Sequence, residues 1–403
     1  MRGWNNGEME TSELLEVLSA DGLRLLDSLG PYDPKADVVR TVSELRAAGH
    51  PAGMVAAVLN QSKLRAKAGP KFGPFADRML FTEAGLEQAT RLSIAALHAG
   101  RFRDAGVASV ADLGCGIGAD ALALAALDLR VTAVERDEVT AAIAAYNLAS
   151  WENVTVVHAD AVDVPLDEVD AVFLDPARRT AGHQNTSRLR DPADFSPSLD
   201  FAFGLGERMT TGIKLGPGVD RDLIPAGIEA QWISVDREVV ELGVWFGAAA
   251  RPGIGRAALV IGDHGTAELT GAADSEDAPI GTIGQYVYEP DGAVIRARLI
   301  GDLARQIGAS MLSPGIAYLT ADKLVPTPFA RAFRVIAVLP FDERTLRREL
   351  AARGIGTLEI KKRGVDVDPA QLRKKLSLKG RASGTLIVTR VAGRHCALLV
   401  ERA

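Results

Sequence analysis

A chain of 403 residues with 47% hydrophobic content is long enough for large cores and predicts two or three domains. Two cysteines, Cys115 and Cys396, are too few for a disulfide framework, no His or Cys cluster has metal-ligand spacing, and no apolar run approaches a membrane span, so disulfide-stapled, metal-centred and membrane-spanning classes are excluded and a cytoplasmic protein is expected. The net charge of −6 hides an asymmetry: residues 331–403 carry 17 Lys and Arg against 7 Asp and Glu, or +10, which leaves −16 for the rest.

The first 78 residues read as a helical module. Leu14, Leu15, Leu18, Leu23 and Leu26 make one apolar face; Asp33-Pro34 reads as a cap and first helical residue, followed by Val38, Val39, Val42 and Leu45 at helical spacing, with Gly49 and Pro51 as the stop. Residues 60–71, with Lys63, Arg65, Lys67 and Lys71, end in Gly69-Pro70 and Gly73-Pro74 and read as a polar linker. A further helix is predicted from Thr82 to Gly100, with Leu86, Ala89, Ile94 and Leu97 inward.

Residues 110–135 organise the remainder. A short apolar run ends at Asp112, Gly114, Gly116 and Gly118 follow, a small-residue helix starts at Ala119, and a second apolar run ends at Glu135. This is a βαβ unit with a carboxylate at each strand tip, the form that binds a nucleotide-like cofactor. The spacing of Gly114, Gly116 and Ala119 also fits dinucleotide-binding units, so NAD is one reading. Asp112 favours a cationic ligand instead, since a carboxylate there would repel a pyrophosphate. A sulfonium with an ammonium, as in S-adenosylmethionine, suits it.

At Asp112-Leu-Gly-Cys-Gly-Ile-Gly118 the sequence resembles the class I S-adenosylmethionine-dependent methyltransferases. The resemblance implies that Gly114, Gly116 and Gly118 cradle the methionine part and that Glu135 holds the ribose. It implies that Asp160, with Ala161 beside it, reads the adenine amino group after the strand VTVVH. Asp175-Pro176 then occupies the substrate-facing motif. It further implies a Rossmann-like seven-stranded α/β sheet, here over residues 79–272, with Gly212-Ile-Lys-Leu-Gly-Pro-Gly218 as the fifth strand and its turn, and the runs 231–246 and 257–261 as the last strands. Residues 273–330 read as a connecting region. Residues 331–403 show a βαβαββ order and resemble the THUMP-like, ferredoxin-like domain of a bacterial RNA-methyltransferase-like family, which implies RNA as a partner.

Amine methyltransferases of this class place Asn, Asp or Ser before Pro-Pro and an aromatic ring. Here the motif is Asp175-Pro176-Ala177-Arg178, in which Arg178 takes the place of the ring for stacking or phosphate pairing. The arginine-rich segment 178–197 reads as the substrate entrance. Neither cysteine suits a carbon-5 nucleophile, and His158 reads as structural. The expected activity is methylation of a base nitrogen in rRNA or tRNA. A small-molecule methyltransferase, an NAD-dependent oxidoreductase and a non-catalytic RNA-binding protein are the alternatives.

Overall fold

The computed structural model describes residues 11–35, 37–178, 195–263 and 265–403, apart from the side chains of Ala177 and Arg178. Their packing forms two compact units, one within Met1–Lys214 and Trp245–Ala250, the other within Leu215–Val244 and Arg251–Ala403. None of the described helices is long and apolar enough to cross a membrane.

The first unit starts with helices α1 (Thr11–Leu18), α2 (Ala20–Ser28), α3 (Val38–Ala47), α4 (Ala52–Phe72), α5 (Glu83–Gln88) and α6 (Leu92–Asp104). Then come β1 (Ser109–Leu113), α7 (Ala119–Ala125), β2 (Arg130–Glu135), α8 (Glu138–Leu148), β3 (Val154–His158), β4 (Ala171–Leu174), the two-residue strands β5 (Ala177–Arg178) and β6 (Phe195–Ser196), α9 (Leu199–Gly206) and β7 (Thr210–Leu215). In the second unit β8 (Glu229–Val235), β9 (Glu238–Phe246, whose last two residues belong to the first unit), β10 (Arg256–Gly262) and β11 (Gly265–Gly271) precede a second sheet. The first sheet has the order β11-β10-β8-β9-β7-β4-β1-β2-β3. Its nine strands exceed the seven expected, because the run 231–246 is two strands, β8 and β9, and residues 265–271 form an antiparallel partner for β10 at the edge. Strands β7, β4, β1, β2 and β3 run parallel, so their carboxyl ends open on one edge of the sheet.

Several local expectations shift. The linker expected at 60–71 is the second half of α4, where Leu64, Ala68 and Phe72 recur every four residues on the buried face and the lysines take the other sides. Helix α3 starts at Val38 and is capped by Asp37, whose carboxylate accepts from the Arg40 amide, so Asp33-Pro34 lies ahead of it. The helix expected from Thr82 to Gly100 is two helices, α5 and α6; Leu86 and Ile94 are buried as expected, while His98 is buried and Leu97 exposed. Of the first apolar face, Leu14 and Leu26 are buried and Leu15 is exposed.

Helix α4 and helix α8 grip the segment between them. Gln61 donates from Nε2 to the Phe81 carbonyl at 2.7 Å and accepts from the Phe81 amide at 3.0 Å. Asn147 does the same for Leu80, at 3.0 and 2.7 Å, and also donates to the Ile117 carbonyl at 2.9 Å. Lys71 donates to the carbonyls of Leu86, Glu87 and Ala89, closing the end of α5, and burial pushes its pKa down to about 8.

In the second unit β12 (Tyr286–Pro290), α10 (Gly292–Arg296), α11 (Ile300–Ile307), β13 (Ser310–Met311), β14 (Leu319–Ala321), β15 (Ala330–Pro340), α12 (Glu343–Ala352), β16 (Ile355–Lys362), α13 (Pro369–Leu376), β17 (Ala382–Val391) and β18 (Arg394–Arg402) follow. The second sheet has the order β13-β14-β12-β15-β18-β17-β16. The expected βαβαββ order is present, with Leu346, Leu350, Leu372 and Leu376 of the two helices packed on one core. Residues 273–330 are more than a connection, since β12 to β14 extend this sheet and Val287 pairs with Phe333.

The Gln61 bracket sets a first test. Gln61→Leu strands a buried amide and carbonyl of Phe81, each costing about 1 to 3 kcal/mol, so urea unfolding should lose about 2 to 6 kcal/mol. A loss below about 1 kcal/mol would mean that the Phe81 backbone finds other partners.

Candidate active site

The glycine turn is pinned to its neighbour strand, with the Gly114 and Cys115 amides both donating to the Val134 carbonyl at 2.9 Å. Gly114, Gly116 and Gly118 have φ of +89°, +55° and +91°, a region that only glycine enters cheaply. Their surroundings differ. A Cβ on Gly118 would lie 2.9 Å from Leu148 Cδ1, whereas one on Gly116 would meet nothing within 4 Å. Gly118 therefore serves packing between α7 and α8, and Gly116 leaves open space before the turn.

The strand order brings the other sequence-marked residues to the same edge. Glu135, at the end of β2, accepts from the Gly116 amide at 3.1 Å and the Asp137 amide at 2.9 Å. Asp160 follows β3, is exposed, and accepts from the Val162 amide at 3.2 Å, with Ala161 buried beside it. Asp175 and the buried Pro176 follow β4, and the Asp175 carbonyl lies 3.6 Å from where a Gly114 Cβ would stand. Arg178 pairs with Phe195 through the backbone, while its side chain and residues 179–194 of the arginine-rich segment lie outside the described residues. His158 is exposed, its Nε2 3.1 Å from the Arg136 carbonyl.

Beneath this edge lies a buried polar chain that no local pattern announced. Lys214, near the end of β7, forms an ion pair with Asp175 and donates to Thr90 Oγ1 at 2.9 Å. Thr90 donates to Asp120 Oδ2 at 2.6 Å, and His98 Nδ1 lies 2.9 Å from Asp120 Oδ1. The His98 ring rests against Phe173 and Trp245, with centroids 5.1 and 5.8 Å apart. Sequence reading passed over these residues because Lys214 sits in an apolar strand, Asp120 looks like an ordinary first-turn acid of α7, and His98 lies in a helix without a motif. The available signal was the burial cost itself, since a charged residue inside a hydrophobic run needs a partner.

Electrostatics separate the carboxylates. Asp112 is 1% exposed and its Oδ2 has no hydrogen-bond partner among the described residues. Burial, and then the charges of Asp120 and Asp175, raise its pKa well above the usual carboxylate range, with Lys214 and the Ala121 amide opposing. Burial also works against ionised Asp120, but the His98 hydrogen bond and charge, Lys214 and Thr90 overcome it and hold Asp120 below its ordinary value. Burial raises the Cys115 thiol, and the charges of Asp112 and Glu135 add to it. That thiol is no nucleophile.

Residues 110–186 match a methyltransferase domain, residues 330–402 a THUMP domain-like family, and residues 10–68 a domain of unknown function. Two relatives from Mycobacterium tuberculosis, strains H37Rv and CDC 1551, are described as S-adenosylmethionine-dependent methyltransferases. Each is 34% identical over 337 residues, spanning 81% of this chain and 90% of the relative. The crystal structure of a proposed methyltransferase from Porphyromonas gingivalis W83 has the same fold, with a TM-score of 0.73 and 22% identity over 93% of this chain and 99% of that one. The cofactor is S-adenosylmethionine, and the residues present fit it: Asp112 keeps a buried carboxylate oxygen without a hydrogen-bond partner among the described residues, and the Gly116 side of the turn is open. The dinucleotide reading falls away, and the chain belongs to the S-adenosylmethionine-dependent methyltransferases.

Proposed function

We propose that this enzyme methylates a base nitrogen in structured RNA, rRNA or tRNA, in the cytoplasm. In this reading Asp112, Gly114, Gly116, Gly118, Glu135, Asp160 and Ala161 hold the cofactor, and Asp175, Pro176 and Arg178 meet the substrate. Residues 79–272 then serve methyl transfer, 1–78 support them, 273–330 lead to the last domain, and 331–403 bind RNA.

The observation that carries the RNA assignment is the charge of the last domain. Some of its cations are already engaged: Lys361 pairs with Glu289 at 2.9 Å, Lys375 with Glu343 at 2.8 Å, and Arg363 stacks 5.6 Å from the Tyr318 ring centre. Lys362, Arg373, Lys374, Lys379 and Arg381 are exposed and have no ion-pair partner among the described residues. Asp368 lies within electrostatic reach of Lys362 and Arg373, yet the set as a whole is basic and exposed, which suits a polyphosphate backbone.

The base-nitrogen assignment rests on Asp175. The cofactor supplies a methyl group on a positively charged sulfur. A neutral exocyclic amine needs no base to react, only an acceptor that aligns its lone pair. A carboxylate held by a lysine is a weak base and a strong acceptor, which suits an amine better than a hydroxyl that must first lose its proton. Arg178 stands where amine methyltransferases carry an aromatic ring, and its guanidinium plane is able to stack on a base.

Incubating the protein with methyl-labelled cofactor and total RNA from a strain lacking this gene should label RNA at a nitrogen. Label transferred only to small molecules would overturn the RNA reading. Binding should weaken with salt at a log–log slope of roughly −0.7 per phosphate contact, and the triple variant Lys362→Ala, Arg373→Ala, Lys374→Ala should flatten it by about 2.

Three variants separate the cofactor roles. Glu135→Ala should weaken cofactor binding by about 1 to 3 kcal/mol, because a hydrogen bond to a charged group is lost. Gly116→Ala should impair cofactor binding more than stability, and Gly118→Ala the reverse, which calorimetric titration and thermal melts distinguish.

Affinity should also rise with pH. Burial raises the Asp112 pKa in the free protein and a bound cation lowers it, so binding releases a proton between the two values. Affinity therefore climbs through the window between the bound and free values and flattens above it. Titrations from about pH 5 to about pH 9 should show this slope in the parent and not in Asp112→Asn.

A further inference from the structure

The geometry points to Lys214 as the positioning residue of the substrate site: its ammonium, anchored on Thr90, holds the Asp175 carboxylate in one ionised, oriented state. This rests on the reading that Asp175 meets the substrate. Nothing in the methyltransferase motifs assigns a role to the fifth strand's lysine, and the sequence offered it only as part of a strand.

The argument begins with cost. Lys214 is 8% exposed, and a lone ammonium at such a depth would lose its charge or destabilise the fold. It is retained with a carboxylate on one side and a hydroxyl on the other. The hydroxyl is polarised in one direction. Thr90 accepts from Lys214 and donates to Asp120, and Asp120 is in turn met by His98, so each donor in the chain has its acceptor. The anchor residues come from separate elements: Thr90 before α6, His98 in α6, Asp120 in α7 and Lys214 in β7. An ion pair needed only to hold the strand would not require Thr90 to fix the ammonium from behind. Locking it from two sides instead confines the carboxylate that it touches.

Charge gives the same assignment. Asp112, Asp120 and Asp175 lie close together, Lys71 of α4 feels the charges of both Arg91 and Lys214, and His98 stands behind Asp120. Lys214 favours the ionised forms of both Asp112 and Asp120 besides pairing directly with Asp175. Removing its charge leaves three acids together, and the most exposed of them, Asp175, would be protonated at higher pH. A protonated Asp175 donates where the amine needs an acceptor.

The test compares Lys214→Met, Lys214→Arg and Asp175→Asn with the parent, using labelled cofactor and total RNA from the deletion strain. Loss of a cation beside a carboxylate moves its pKa by about 1 to 3 units, so the acid limb of kcat/KM should move up by about that much in Lys214→Met. Lys214→Arg should restore most of it, while KM for RNA changes little. Cofactor titration supplies a readout without turnover: the pH at which affinity rises should also move upward in Lys214→Met, through Asp112, and return in Lys214→Arg. Thermal melts of the three variants establish that each is folded. If Asp175→Asn stays fully active, the substrate reading fails. If Asp175→Asn is inactive and Lys214→Met keeps the parental acid limb, Lys214 is structural and this inference is overturned. Should Lys214→Met fail to fold, an unshifted limb in Thr90→Val, which removes the anchor behind the lysine, overturns it equally.

Discussion

Three neighbouring acids, Asp112 near the end of β1, Asp120 in the first turn of α7 and Asp175 just after β4, constrain the rest of the first unit. Bringing them together out of water is unfavourable unless each is paired or kept neutral. Asp120 is satisfied by His98 and Thr90, Asp175 by Lys214, and Asp112 is pushed toward its neutral form. The segment before α6, the first helix of the βαβ unit and strand β7 must therefore meet within hydrogen-bond reach.

The N-terminal helices are part of the same core rather than an ornament on it. Leu14, Val58, Leu64 and Phe72 share a hydrophobic cluster with Leu122, Val131 and Phe173 of the sheet and its helices. Through Gln61 and Lys71, α4 also fixes the backbone that runs over the glycine turn, where a Cβ on Gly85 would approach Ile117 to 2.6 Å. Residues 10–68, which match a domain of unknown function, thus contribute to holding the turn in place.

In the second unit, the last domain is a sheet covered on both faces. Leucines from α12 and α13 fill one side, and Leu312, Ile316 and Tyr318 of the preceding region fill the other. That second cover explains why residues 273–330 cannot be a passive linker. It also takes cations out of circulation, since Glu289 on β12 binds Lys361 and Tyr318 receives Arg363. A charge count from sequence overstates what a polyanion would meet.

What the sequence determined by itself was written in local residue types. Positive φ at three glycines, carboxylates where strands end and a βαβαββ run of apolar periods each depend on neighbours a few residues apart, so the turn, the candidate cofactor residues and the last domain were legible. Most helices of the first hundred residues were legible as helices, but α4 was not, since its lysines and its Gly69-Pro70 read as a linker, and the start of α3 was not, because Asp33 and Asp37 offer the same cap and only packing selects between them. Tertiary structure alone decided the ninth strand of the first sheet, the pairing of residues 286–290 with β15, and the chain from His98 through Asp120 and Thr90 to Lys214 and Asp175. Its members lie up to 124 positions apart and each is ordinary where it stands, so the partners that make burial of their charges tolerable exist only once the strands and helices have packed.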